Sequence, residues 1–284
     1  MIYVIIPVFN RLDFTKSCLA SIKKQKNCEK IKIIIVDDGS TDGTFEYLEK
    51  EKNLTVLKGT GSLFWGGAVN FGIDEVLKIG KKGDWVFLVN NDVELSNDAI
   101  IKLIQVSVSK NRKAIVGALT LDLNDKQTII KSGTIVENWF FNKTRHIYKR
   151  LNINQITNKE PVEVDFLTGR CLLHPIEVFQ IAGNYDSKSF PHYGGDDEFS
   201  MRVKKYNYLT FVSPKSLVYL NLKKQEDKKK PNLKKFLFVF FNIKSSSNIL
   251  NKFKLSLKIV PFHAKLTFFF MGLLKSLYIF FNNK

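Results

Sequence analysis

Three clusters of amide and carboxylate side chains follow short apolar runs in the first third of this 284-residue chain. They are Pro7-Val8-Phe9-Asn10 after residues 2–6, Asp37-Asp38-Gly39-Ser40 after residues 31–36, and Asn90-Asn91-Asp92 after residues 85–89. Carboxylates so placed suit a nucleotide held through a divalent cation, because a hard metal takes oxygen ligands and can bridge a carboxylate to phosphate oxygens. Each cluster also has an ordinary structural explanation, since Asp and Asn favour turns and helix caps. What favours a site is the convergence of all three on one edge. A later run, Asp196-Asp197-Glu198, is ambiguous in the same way: acidic residues in a first helical turn complement the helix dipole without doing chemistry. The chain has no GxxxxGK(S/T) and no GxGxxG after its first apolar run, so a P-loop ATPase and a Rossmann dehydrogenase both lose support.

The elements that must position these groups can be read from periodicity. Residues 2–6 and 31–36 are β-branched runs without alternation, the pattern of strands buried on both faces of a parallel sheet. Between them Phe14, Cys18, Leu19 and Ile22 have helical spacing over residues 13–26. A turn at 39–43, a helix at about 44–52, a strand at 54–57, a helix at 68–79 and a strand at 85–89 follow. That order predicts an α/β sandwich with right-handed crossovers, whose ligands sit at the carboxyl ends of the strands. Beyond residue 118 the pattern predicts a hairpin region at 120–136 and a polar stretch up to Glu160. A strand-like segment at 162–174 is split by Thr168-Gly169, and helices are expected at 175–182, opening on Pro175, and at 197–207.

The charge is uneven. Of 44 Lys and Arg against 27 Asp and Glu, residues 1–222 hold 30 and 25, whereas residues 223–284 hold 14 and 2 together with 11 of the 24 Phe. A segment both cationic and aromatic suits an anionic lipid surface. Cys18, Cys28 and Cys171 form no CxxC pair, so neither a disulfide framework nor a zinc knuckle is expected, and a reducing cytosol fits best. The first residues read as a strand and not as a signal peptide.

Taken in order, Pro7 to Asn10, Val36 to Gly43, Gly61 to Asn70, Asn90 to Asp92 and Tyr193 to Arg202 resemble family 2 glycosyltransferases of the GT-A fold. The Trp65-Gly66-Gly67 stretch is similar to the rhamnosyl- and galactofuranosyl-transferase-like branch. The resemblance covers residues 1–222, with a donor half at about 1–117 and an acceptor half at about 118–222. It implies that Asp38, with Asp37, holds the base and ribose of a UDP- or dTDP-type sugar donor. Pro7, Phe9 and Asn10 would wall that pocket, with Gly61, Trp65, Gly66, Gly67, Asn70, Asn90 and Asn91 as further donor-binding residues. Asp92 would bind Mg2+ or Mn2+ on the diphosphate, with Asn90 replacing a first carboxylate. Asp196 is expected to be the general base of an inverting displacement, and Thr168, Gly169, His192 and Glu198 to meet the acceptor glycan. Where family members often place a metal-completing His, this chain has Leu220, with Asn221 as a possible substitute.

Residues 223–284 are expected to form a basic, aromatic, helical tail after a Lys-rich linker at 223–235. Its longest apolar piece, 266–281, is 16 residues, short of the ~20 needed to span a bilayer. The tail should therefore lie in the interface, holding a cytoplasmic protein on the inner face of the cell membrane, where a lipid-linked acceptor would suit it; a helical cap on the catalytic domain or a dimer contact is the alternative. The main function expected is transfer of a sugar to a growing cell-surface glycan. Two others compete: a catalytically impaired scaffold at the membrane, and a nucleic-acid binder, which the near-neutral body with acidic strand ends disfavours.

Overall fold

A computed structural model describes residues 1–28, 30–156, 158–220 and 232–282. The expected linker falls largely outside them, as does Asn221. The chain runs β1 (Ile2–Val8), α1 (Leu12–Lys23), β2 (Ile31–Asp37), α2 (Thr44–Lys50), β3 (Leu54–Lys58), α3 (Phe64–Ile79), β4 (Trp85–Val89), β5 (Val93–Leu95) and α4 (Ala99–Ser109). Then come β6 (Ala114–Asp122), β7 (Ile129–Lys131), β8 (Thr134–Asn138), β9 (Lys143–His146), β10 (Val162–Glu163), β11 (Cys171–Pro175), α5 (Glu177–Ala182), α6 (Gly195–Lys204) and β12 (Leu209–Leu220). The tail forms α7 (Leu233–Phe241), α8 (Ile249–Ile259) and α9 (Lys265–Asn282).

The main sheet has the order β10-β12-β6-β11-β4-β1-β2-β3, with β5 on β12 and β7 on β6. Strands β1 to β4 are parallel, and β11 joins β4 antiparallel, so the expected α/β class holds with a mixed sheet. The β-branched runs lie here because both faces are covered. Ile2, Val4 and Ile6 of β1 face α1 and α4, while Tyr3 and Ile5 face α3. Each such buried aliphatic side chain contributes about 1.5–3 kcal/mol. The sheet grows from β1 through β2 to β3 on one side and then continues with β4 on the other, which opens a crevice at the carboxyl ends of β1 and β4.

Several boundaries differ from expectation. Pro175 ends β11 opposite Trp85 instead of starting a helix; at the strand's last position its missing N–H breaks no ladder. Helix α3 starts at Phe64, so Trp65-Gly66-Gly67 forms its first turn. The β8–β9 hairpin begins inside the expected hairpin region and ends in the polar stretch before Glu160. Helix α6 covers 195–204, two residues earlier at its start than expected and three at its end. In the tail, Ile259, Val260, Ala264 and Phe268 pack with Phe166, Val136 and Trp139, and Asn142 donates to the Phe268 carbonyl at 3.0 Å. The cap alternative thus describes the inward face of the tail. Residues 262–282 are long and apolar enough to cross a membrane by length and composition, a longer run than the 16 residues expected.

Candidate active site

One cavity of about 790 Å³ opens at the carboxyl edge of the sheet and brings together Pro7, Phe9, Asp38, Gly61, Trp65, Asn90, Asn91, Asp92, Thr168, Gly169, His192 and Asp196. Its end beside Asp38 is built by two loops that approach through glycine. Gly39, in a left-handed conformation (φ 82°), lies so close to Gly61 that a Cβ would meet its Cα at 3.1 Å. This closeness lets Asp38 accept from the N–H groups of Gly61 (2.8 Å) and Phe64 (3.0 Å). Asp38 therefore shapes the pocket, and each oxygen keeps a lone pair for a further donor.

Trp65 donates from Nε1 to Asn90 Oδ1 at 2.9 Å. Asn91, buried, donates to Thr15 Oγ1 at 3.0 Å and locks the loop after β4. The Gly169 N–H donates to Asp196 Oδ2 at 2.9 Å, and Asp197 N–H to Asp196 Oδ1 at 3.2 Å. Burial raises the Asp196 carboxyl above the ordinary carboxylate range, against the pull of these N–H groups and of Lys131. Burial, and then the charge of Asp196, pushes Asp197 well above that range. His192 is held below the usual imidazole value by burial and then by Lys244 and Arg11, so it stands neutral at pH 7.

The raised Asp196 carboxyl makes a pH prediction. A base works only when deprotonated, so kcat/KM should rise with pH through a limb lying above the ~3.9 of an ordinary Asp. Lys131 holds the Asp196 carboxyl down, so Lys131→Met should move that limb to higher pH. A pH–rate profile of the two proteins checks this, and an unmoved limb would remove Lys131 from the electrostatics of Asp196.

Six expected residues lie off the cavity. Asn10 binds the Thr41 N–H through its side chain, and Asp37 the Ser40 N–H, so both tie loops together. Gly66 and Gly67 do allow close approach, but to protein: a Cβ on Gly66 would meet Phe190 O at 3.1 Å and one on Gly67 would meet Leu63 Cβ at 3.2 Å. Asn70 donates to Tyr185 O and accepts from its N–H. Glu198 is buried and paired with Arg202, which also donates to the carbonyls of Ala182 and Asn184. It braces α6 and does not face an acceptor.

The cavity also gathers residues not expected there. Arg11 and Arg170 flank Asp92; Lys131, Thr144 and His146 also line the cavity, and Lys244, Asn251 and Lys252 come from the tail. Arg11 and Arg170 each sit beside a cluster already singled out, which is the one signal that would have found them. His174 is a core residue, held neutral by burial with its pKa lowered to about 3.

The side chains around Asp92 decide whether a divalent metal could reside there. Asp92 Oδ1 is buried without a partner, which favours a cation, but Oδ2 accepts from Arg170 at 2.9 Å and lies 3.6 Å from Arg11. Asn90 Oδ1 is occupied by Trp65, and Leu220 is an apolar core residue opposite Val93. Among the described residues no group of three or more His, Cys, Asp or Glu could hold a metal ion. One carboxylate can hold such a cation when phosphates and water complete its oxygens, but here that carboxylate already shares an oxygen with two guanidiniums, whose charge opposes a further cation beside them, so the side chains do not fit a resident metal.

A mixed sheet with helices on both faces and a cavity at its switch point is the GT-A glycosyltransferase arrangement. Its solved relatives include GalNAc-T7 with UDP, GalNAc and Mn2+ (TM-score 0.60, 15% identity, 95% of this chain and 53% of that one). TarS 1–349 of S. aureus in complex with UDP-GlcNAc gives 0.59, 16%, 100% and 74%. At these identities the likeness is one of fold. The chain belongs to glycosyl transferase family 2, whose sequence model matches residues 3–171. An uncharacterized glycosyltransferase of Mycoplasma genitalium is 32% identical over 117 residues, 38% of this chain and 37% of that protein. The poly(ribitol-phosphate) beta-glucosyltransferase of Bacillus spizizenii is 29% identical over 123 residues, 42% and 19%. The alignments thus span well under half of these curated relatives.

Proposed function

We propose that the protein transfers a sugar from a nucleotide-diphosphate donor to a hydroxyl of a glycan acceptor, with inversion at the anomeric carbon. The observation that carries this is a single cavity holding the Asp38 loop and Asp92 at one end and a carboxyl of raised pKa, Asp196, at the other. The acceptor oxygen bonds to the anomeric carbon as its proton passes to Asp196. The bond from that carbon to the diphosphate breaks with its electron pair on the leaving oxygen. The rhamnosyl- and galactofuranosyl-like branch rests on the Trp65-Gly66-Gly67 stretch. Because both glycines face protein, the proposal stops at a sugar carried on UDP or dTDP. The test is release of nucleotide diphosphate from a panel of UDP- and dTDP-sugars in the presence of Mn2+. Release from one donor is expected; no release and no nucleotide binding across the panel would overturn the reading.

The acceptor is proposed to be lipid-linked and the protein to work at an anionic membrane face, in the cytoplasm. The outward side of the tail exposes Leu233, Phe262, Leu266, Phe270, Leu274 and Tyr278, each more than half exposed, among lysines. The inward side supplies Leu255, Phe268 and Phe269 to the cavity wall next to Asp197 and Lys252. Phe270→Asp with Leu274→Asp should weaken binding to phosphatidylserine vesicles by about tenfold or more in a sedimentation assay, because two buried apolar side chains are lost. Unchanged binding would refute attachment through this face.

A further inference from the structure

We infer that Arg11 and Arg170, and not a divalent cation, neutralise the donor's diphosphate, with Asp92 as the positioning residue that orients both guanidiniums for it. The inference rests on the donor reading above. Both arginines converge on one oxygen of Asp92, at 3.6 and 2.9 Å, at the carboxyl end of β4. There the sheet's switch point places an anionic ligand.

Arg11 reaches this point from an unusual backbone. It and Asn10 are consecutive non-glycine residues with positive φ, 68° and 58°. Such a conformation persists for a long side chain only where surrounding bonds impose it. Here they do: Asn10 donates its N–H to Ser40 Oγ at 2.7 Å and accepts the Thr41 N–H at 2.8 Å, while Thr15 N–H binds the Arg11 carbonyl at 3.0 Å. Arg170 is fixed as well, its carbonyl accepting the Asn90 N–H at 3.0 Å.

The chemistry suits the ligand. A guanidinium presents a planar fork of donors that matches two phosphate oxygens, and it is less costly to desolvate than an ammonium. Asp92 occupies the place a phosphate oxygen would take, so a diphosphate that enters exchanges one anion for another with the cations already oriented. The cavity as a whole holds five cationic side chains against four carboxylates, and Lys244 lies over the rings of Phe9 and Phe64 at its donor end. As the anomeric bond breaks, the electron pair left on the diphosphate is met by charge that needs no reorganisation.

Calorimetry of the full chain with UDP and with dTDP, each in EDTA and in Mn2+, tests this. The expected result is binding in EDTA comparable with that in Mn2+. Arg170→Gln and Arg11→Gln should each weaken it by about tenfold or more, with partial rescue in Arg170→Lys. Asp92→Asn separates the two roles by metal dependence: a carboxylate that only positions the guanidiniums predicts a change in affinity that is equal in EDTA and in Mn2+, whereas a metal ligand predicts weaker binding in Mn2+ alone. Thermal unfolding of each variant shows that it is folded. Binding that requires Mn2+, or that survives both arginine substitutions, overturns the arginine assignment and leaves the donor reading intact. No binding of either nucleotide under either condition overturns the donor reading itself.

Discussion

Asp196→Asn is expected to lower kcat by a factor of about 10² to 10⁴ while nucleotide affinity stays within about twofold, since general-base catalysis supplies that much and the donor end is untouched. The substitution is close to isosteric. Its remaining amide oxygen can keep the bond from the Gly169 N–H, now at 2.9 Å, so the loop before β11 should hold its position. What is lost is the capacity to accept the acceptor's proton. Because the change acts on the transition state and not on donor binding, kcat and kcat/KM should fall together with KM little changed. A steady-state comparison with a responsive donor measures this, and turnover at the wild-type rate would remove Asp196 from the reaction.

The donor edge was legible for a physical reason: strands buried on both faces must be continuous apolar runs, and the polar residues that end them must then share an edge. Asp38, Asn90, Asn91 and Asp92 meet in the cavity as that rule requires. Side-chain facing was less legible. Asp196 and Glu198 are both in α6, and two residues on a helix turn it by about 200°, so when one carboxylate faces the cavity the other must face away. Glu198 accordingly pairs with Arg202 one turn on. The same cause separates Trp65 from Gly66: the indole faces the cavity, while Gly66 packs on the Phe190 to Pro191 backbone. The basic residues were missed because an arginine next to a polar loop cluster reads equally well as a solvated charge. Only the fold shows Arg11 and Arg170, 159 positions apart, on one oxygen. The docking of the tail depends on pairs such as Asn142 with the Phe268 carbonyl and Lys258 with Asp186, which no local pattern announces.

Gly169→Ala should cut kcat/KM by about a hundredfold, since displacement of catalytic groups by about 1 Å carries a cost of that order. A Cβ there would lie 2.7 Å from Trp65 Cζ2 and 2.9 Å from Cη2, inside any real contact distance, and 3.5 Å from Asp196 Cβ. The indole cannot retreat freely. Its edge is fixed by the bond to Asn90, and its ring stands edge-on to Tyr185 with centroids 5.4 Å apart. Relief must therefore come from the backbone at residue 169, which carries the N–H that holds Asp196, so the donor-side amide and the base lose register together. Overpacking of this kind also costs about 1–3 kcal/mol of stability, which thermal unfolding would read. Trp65→Phe in the same chain separates the steric cause from the hydrogen bond. If the clash is the cause, the smaller ring recovers stability in the Gly169→Ala background although it destabilises the parent, a non-additivity expected only of residues in contact. Additive losses would place the effect of Gly169 elsewhere than against the Trp65 ring.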